Sequence, residues 1–374
     1  MKPILLLPCL RRSAPTSGVY TLSKQLVRLG VQPRIVALSD EHTDSALADF
    51  ESSRIQVDLL HVSRKNPVSG VMRLRRYLEG HNGVVHSTCL RPDLFCAFGA
   101  VRGHGRRLVS TVRSRFSEES AFNSGPIIGR AVSIAWARGL CGFDLVVAHS
   151  EGIKASLLSC GVPETLLRVV PSGIDCDDYD VPSDEERSRA HDAIAGGREV
   201  LVGYVGRLVK LKAVDVLIRA FAELVKSTPA KLLIVGDGPE RPMLERTAVS
   251  LGLLNRIIWA GQQRDVRSYL RALDIFAMSS ITEGLPRALL EAGATGIPAV
   301  VTDISGCNEI VTDGLSGYVV PVRNPNRMGE ALYSLAKSGL LRREMGRRLR
   351  MTIEERFSAV NMARGYLDVY RSLL

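Results

Sequence analysis

Aromatic residues are scarce in this chain: Tyr, Phe and Trp make up 5% of its 374 residues, although hydrophobic residues reach 45%. A core built from Gly, Ala, Val and Leu fits parallel α/β layers better than a β-sandwich. No apolar run reaches the ~18 residues that a membrane-crossing helix needs. The opening run Ile4 to Leu7 is too short for the core of a secretory signal, and Arg11 and Arg12 follow it, so a cytosolic protein is expected. The seven cysteines (Cys9, Cys89, Cys96, Cys141, Cys160, Cys176 and Cys307) contain no CxxC pair and no closely spaced His partner. They read as reduced, mostly buried thiols rather than zinc ligands. A GxGxxG fingerprint is absent, which disfavours a bound dinucleotide, and no motif or aromatic platform for nucleic acid is present.

What the chain has is positive charge, unevenly placed. Its net charge of +10 lies almost wholly in residues 1–170, with 22 Lys and Arg against 13 Asp and Glu, whereas residues 171–374 hold 27 against 26. Local clusters are Arg73, Arg75, Arg76 and Arg102, Arg106, Arg107, with Arg113 and Arg115 beyond. Arginine is suited to phosphate contact. The clusters are read as a solvated basic surface, as contacts to a phosphate-bearing acceptor, or as a contact to an anionic membrane surface, which would place the protein peripherally on the inner face of the cytoplasmic membrane.

Short apolar runs alternate with helical patterns in two series. Strands are expected at residues 4–7, 34–38, 84–86, 108–112, 145–149 and 169–170, then at 200–205, 232–235, 257–259, 275–278, 299–301 and 318–320. Strand, helix, strand in this rhythm predicts right-handed parallel sheets. The Pro-, Ser- and Asp-rich stretch between the series predicts two doubly wound Rossmann-like domains, residues 1–170 and 191–357, joined by a linker at 171–190. Ligands in such sheets sit beyond the carboxyl ends of the strands, so two facing domains would share a central cleft. Asp175-Cys176-Asp177 mimics a DxD metal motif, but its place in the connection makes it an acidic turn, and no metal is expected.

The second series carries the chemistry. Glu283-Gly-Leu-Pro-Arg-Ala-Leu-Leu-Glu291 sets two carboxylates eight positions apart at a helix start, with Pro286 suited to the first helical position. The amides of Leu285, Arg287 and Ala288 are then available to phosphate oxygens, Gly284 lets the backbone come close, and the glutamates suit hydroxyl protons. Taken alone, the segment is equally an acidic cap followed by a surface glutamate. Gly206-Arg207 with Lys212, after the strand at 200–205, places positive charge where a departing diphosphate would need it. Gly236-Asp-Gly238-Pro makes a second Gly-rich turn, usable for close packing or nucleotide contact.

In this order, Gly206-Arg207-Leu208 with Lys212, Gly236-Asp-Gly-Pro239, Ser280, Glu283 through Glu291, Gly296-Ile-Pro298, Glu309-Ile-Val and Gly314 with Gly317 resemble the retaining glycosyltransferases of family 4, which have the GT-B fold. The first half matches more loosely, through Ser17-Gly18, Val84-Val-His86-Ser and Val109-Ser-Thr-Val112; His86 through Asp93 resembles enzymes of bacterial surface polysaccharide and lipopolysaccharide assembly. The resemblance implies a nucleotide-diphosphate sugar donor, UDP- or GDP-linked, and no other cofactor. It places Arg207 and Lys212 on the diphosphate, Glu283 on the transferred sugar, and Glu291 on the ribose. Gly18, Gly206, Gly236, Gly238, Gly284, Leu285, Pro286 and Arg287 complete the donor site. The last segment, 358–374, would cross back onto the first domain.

The family often has a histidine just after the strand at 108–112, and Arg113 stands there instead. Arginine is no base at physiological pH, so Arg113 is either a contact to an anionic donor or acceptor group or a surface residue. His86 is either an acceptor-side catalytic group or a packing residue. Transfer to a glycan or lipid-linked acceptor is the leading reading. A nucleotide-sugar epimerase or phosphorylase of the same fold, or a silent nucleotide-sugar-binding scaffold, are the alternatives.

Overall fold

The apolar run that opens the chain becomes β1 (Ile4–Cys9), buried on both faces as a strand of a parallel sheet must be. The computed structural model describes residues 1–39, 44–63, 66–98, 105–115 and 125–374. After β1 come α1 (Ala14–Arg28), β2 (Arg34–Ser39), α2 (Leu47–Ser52), β3 (Gln56–Leu59), α3 (Pro67–Tyr77), β4 (Val84–Thr88), α4 (Leu90–Phe98) and β5 (Arg107–Val112). They are followed by α5 (Pro126–Leu140), β6 (Leu145–Ala148), α6 (Glu151–Ser159) and β7 (Leu167–Val169). The seven strands lie in the order β3-β2-β1-β4-β5-β6-β7, every pair parallel. β3 has no counterpart among the expected strands: it is a four-residue edge strand, partly exposed, with no apolar run to announce it.

The second sheet is built by α7 (Asp184–Ala195), β8 (Val200–Val205), α8 (Val214–Leu224), β9 (Ala230–Val235), α9 (Arg241–Ser250), β10 (Ile257–Gly261), α10 (Arg267–Ala272), β11 (Ile275–Met278), α11 (Arg287–Ala294), β12 (Ala299–Thr302), α12 (Ser305–Asn308) and β13 (Gly317–Val320). Its strand order is β10-β9-β8-β11-β12-β13, again parallel throughout. Three helices close the chain: α13 (Pro325–Ala336), α14 (Gly339–Arg356) and α15 (Ala359–Arg371).

The chain divides into two compact units, Ile174–Phe357 and Met1–Gly173 with Ser358–Leu374. The stretch 171–190, expected as a linker, is folded structure for most of its length. Ile174 is a core residue of the second unit, and Ser183 with Glu186 forms a reciprocal capping box that starts α7. In the first unit α1, α2 and α15 cover one face of the sheet, and α3, α4, α5 and α6 cover the other. Each sheet reverses its strand order at one point, between β1 and β4 and between β8 and β11. Ligands of open α/β sheets bind at such points.

Candidate active site

The loops after β8 and β11 meet at the second sheet's switch point. Gly206 to Lys212 follows β8, and Ala213 begins α8 in the left-handed region at φ 45°, a conformation that costs about 1–2 kcal/mol outside glycine. Surrounding bonds enforce it. Ser279 Oγ donates to the carbonyls of Lys212 (3.0 Å) and Ala213 (2.9 Å), and Ile281 N–H donates to Leu211 O at 2.8 Å. Thr302 Oγ1, at the end of β12, donates to Ser280 O at 2.6 Å. The loop that carries Glu283 is thereby tied to the loop that carries Lys212.

Between the loops, Lys212 Nζ pairs with Glu283 Oε1, and Ser280 Oγ donates to the same oxygen at 2.7 Å. Both contacts fall on Oε1. The two side chains are mostly buried, so the pair is screened less than a surface ion pair. Tyr204, buried beneath them, donates its hydroxyl to Arg207 O at 3.0 Å. Burial and then the charge of Glu283 raise its pKa, while Arg207 opposes, which puts both charges around one phenol. The Arg207 side chain is exposed. A Cβ on Gly306 would stand 2.4 Å from Gly284 O, so α12 packs directly on the Glu283-Gly284 backbone.

Glu291 lies one turn into α11 and is buried. Arg287 Nε donates to its Oε1 at 2.9 Å, and the half-buried Tyr179 phenol lies beside the pair, its pKa raised first by burial and then by the charge of Glu291. Burial opposes the charge on Arg287, but Glu291 and Tyr179 outweigh it and hold the guanidinium pKa above its ordinary value. Pro286 is the N-cap of α11 rather than its first residue. The amides of Arg287 and Ala288 thus occupy the first two helical positions, which have no acceptor within the helix.

The glycines of the first two turns have a different use. Gly206 N–H donates to Val235 O (3.0 Å), Gly236 N–H to Gly261 O (2.7 Å) and Gly238 N–H to Asp237 Oδ1 (2.7 Å). Their amides are spent inside the protein. A Cβ on Gly236 would lie 1.9 Å from Gly206 O, and one on Gly238 2.3 Å from Leu208 O, so these glycines let two loop backbones touch.

In the first unit Gly18 sits inside α1, five residues into a helix that starts earlier than its apolar face suggests. A Cβ there would meet Arg113 Nη1 at 2.4 Å, so Gly18 makes room for the Arg113 guanidinium. His86 is a strand residue, 2% exposed, with Nδ1 2.7 Å from Tyr370 Oη and Nε2 2.6 Å from Thr111 Oγ1. Tyr366 Oη lies 2.7 Å from Thr111 Oγ1 and 3.0 Å from His149 Nε2. Burial and then Arg113 push His86 down to about 3 and His149 well below the ordinary histidine value, so both rings are neutral. The arrangement makes His86 an internal hydrogen-bonding residue. Of the basic clusters, Arg102 lies outside the described residues, Arg106 is buried and donates to Leu78 O and His81 O, and Arg107 bonds to Leu373 O.

Two sequence profiles match the chain: that of the glycosyl transferases group 1 over residues 184–351 and that of glycosyltransferase family 4 over residues 16–178. Between them they span most of both units, leaving β1 and α15 outside the matched ranges. The chain belongs to the group 1 glycosyltransferases of family 4. It is 26% identical over 291 residues to the N-acetyl-alpha-D-glucosaminyl L-malate synthase of Bacillus anthracis, covering 78% of this chain and 75% of the relative. It is 33% identical over 168 residues to the lipopolysaccharide core biosynthesis glycosyltransferase LpsE of Rhizobium meliloti, covering 45% and 48%. The matched part spans about half the length of several curated relatives. The crystal structure of Anabaena HepE in complex with UDP-glucose superposes with a TM-score of 0.86 at 19% identity, over 99% of both chains. That likeness is one of fold, two Rossmann-like parallel-sheet domains of the GT-B class.

In this glycosyltransferase the structure brings Lys212, Ser280, Glu283 and Arg207 together at one strand-order reversal, and it pairs Arg287 directly with Glu291, with Tyr179 beside them. Sequence reading missed Tyr179 and Cys307. Tyr179 stands in the stretch taken as a connection. Cys307 is buried, and burial followed by the charge of Glu283 raises its pKa well above the thiol value, which marks it as a neighbour of that carboxylate. Neither has a local signal, because each reaches the site only through the fold. Among the described residues no group of three or more His, Cys, Asp or Glu is placed to hold a metal ion, and no helix is long and apolar enough to cross a membrane.

Proposed function

We propose that this protein transfers a sugar, with retention of configuration, from a nucleotide-diphosphate sugar to a hydroxyl of a glycan or lipid-linked saccharide in surface polysaccharide or lipopolysaccharide assembly. The observation that carries the reading is the Lys212–Ser280–Glu283 cluster at the switch point, with the first amides of α11 and Arg207 as its other charge-bearing groups. Lys212 and Ser280 occupy Glu283 Oε1, so Oε2 is the oxygen offered to a sugar hydroxyl. Arg207, Lys212 and the amides of Arg287 and Ala288 meet the negative charge that grows on the diphosphate as the C1–O bond breaks. The acceptor oxygen bonds to C1 on the face the diphosphate leaves, and its proton passes to a departing phosphate oxygen. Glu291, oriented by Arg287, accepts from the ribose hydroxyls.

The fold shared with HepE, crystallised with UDP-glucose, supports a UDP-linked donor, and the relative LpsE supports a lipopolysaccharide-type acceptor. A thermal-shift panel of UDP, GDP, ADP and their sugars tests the donor: a ligand that binds only the folded state raises its melting temperature. Glu283→Ala and Arg207→Ala then test the transfer itself. Near wild-type turnover in both variants with the donor so identified would overturn the assignment.

A further inference from the structure

Helix α5 is apolar on both faces. Gly129, Ser133, Trp136, Ala137 and Leu140 form its inward stripe, closing the core over the sheet. The opposite stripe should then be polar. Instead it presents Ile127 at 84% exposure and Ile128 at 61%, with Val132 and Ile134 continuing the same surface. Only Arg130 and Arg138 interrupt it, and the helix contains no Asp or Glu.

Helix α3 covers the same side of the sheet, with α4 between the two. Its outward stripe, at i, i+4, i+7 and i+8 spacing, is Val68, Met72, Arg75 and Arg76, and it too contains no acidic residue. Val68 is 72% exposed and Met72 56%. Arg73 is spoken for, donating to Leu60 O and His61 O. Exposed aliphatic side chains beside exposed arginines, on two helices that contain no acidic residue of their own, are an unusual surface for a folded domain. It matches the chemistry of an interfacial helix, whose apolar residues enter the acyl boundary while arginines meet lipid phosphates.

We infer that the outer faces of α3 and α5 form a docking surface for an anionic phospholipid bilayer, with Ile127 and Ile128 as the inserting residues and Arg75, Arg76, Arg130 and Arg138 as the headgroup contacts. The inference deepens the proposed function, since a lipid-linked acceptor is held at such a surface. Its test needs neither donor nor acceptor.

The experiment is co-sedimentation of the full chain with vesicles of equimolar phosphatidylglycerol and phosphatidylcholine, against vesicles of phosphatidylcholine alone. The wild type should bind the anionic vesicles, with affinity that falls as salt rises. The double variant Ile127→Ser, Ile128→Ser should bind about tenfold more weakly at every salt concentration, because it removes the inserted apolar area. The double variant Arg75→Glu, Arg76→Glu should lose about as much on anionic vesicles, and its salt dependence should flatten. All six side chains named are exposed, and unchanged circular dichroism verifies that the variants fold. Equal binding to both vesicle types, wild-type binding by the isoleucine variant, or a self-association of the chain abolished by that variant without any vesicle binding would each overturn the inference. Arg207→Ala separates the two proposals. It should bind vesicles like the wild type, so lost transfer with intact binding counts against neither, whereas intact transfer counts against the function alone.

Discussion

Glu283 shares one carboxylate oxygen between Lys212 and Ser280, and this makes the two cationic residues of the site unequal. Lys212→Ala leaves a mostly buried carboxylate with a hydroxyl but no counter-charge, and should cost about 2–3 kcal/mol of stability besides activity. Arg207 has an exposed side chain, so Arg207→Ala should leave the melting temperature near wild type while kcat falls about 100-fold, the usual loss when one group facing a developing oxyanion is removed. Melting curves and steady-state kinetics on the two variants check the contrast. A large stability loss in Arg207→Ala, or none in Lys212→Ala, would refute it. Both residues were legible in the sequence because a strand, a glycine and a following basic residue fix where they emerge. Tyr179 and Cys307 were not, since their approach to Glu291 and Glu283 depends on tertiary packing that no local pattern encodes.

At the scale of elements, the Gly-rich turns join strand to helix by letting the backbones of two loops touch. Gly236→Ala would drive a Cβ to 1.9 Å from Gly206 O at a φ of +135°, with only backbone available to yield. Its cost should exceed about 3 kcal/mol. Gly161→Ala, at φ +87° with nothing within 4 Å, should cost about 1 kcal/mol from conformation alone. Urea unfolding of the pair measures the difference, and equal costs would show that the loop contact is not rigid. The sequence shows that a turn is needed at Gly236 but not whether its amide serves a ligand or a neighbouring loop. A second element-scale device is Asp93 on α4, 1% exposed, which accepts from Ser87 (2.5 Å), Ser110 (2.9 Å) and Trp136 (3.0 Å) and so ties α4 to β4, β5 and α5. Burial pushes it up to about 7 from 3.8 despite these three donors. The folded state therefore binds this proton more tightly than the unfolded chain. Its contribution is fully present below about pH 4 and is lost as pH rises towards about 7. Asp93→Asn has no proton to lose, so its stability relative to wild type should improve by a few kcal/mol between pH 4 and 7. A difference that stays constant over that range would show that Asp93 does not titrate there.

For the molecule as a whole, the decisive element is the last one, because α15 belongs to the unit that begins the chain. It buries Met362, Tyr366, Leu367, Val369 and Tyr370 in that unit's core, and the two tyrosine hydroxyls engage His86, Thr111 and His149. Every strand but the edge strand β3 was readable from alternating apolar runs, whereas the dependence of one sheet on a segment nearly two hundred residues away was suggested only by family resemblance. Burying a large apolar side chain is worth about 1.5–3 kcal/mol, so five of them amount to as much as the 5–15 kcal/mol that holds a typical domain together. Truncation after Phe357 should therefore unfold the first unit and leave the second intact, since Ile174–Phe357 has its own cores and its own complete sheet. In hydrogen exchange, β1, β4 and β5 should lose protection in the truncated chain while β8, β9 and β11 keep theirs. The thermal shift produced by the donor nucleotide should survive truncation, because every residue assigned to the diphosphate and the ribose lies in Ile174–Phe357. Loss of protection in both sheets at once would mean that the two units fold as one cooperative body. Unchanged protection in β1, β4 and β5 would mean that the histidine and tyrosine network adds little to a sheet that stands without it.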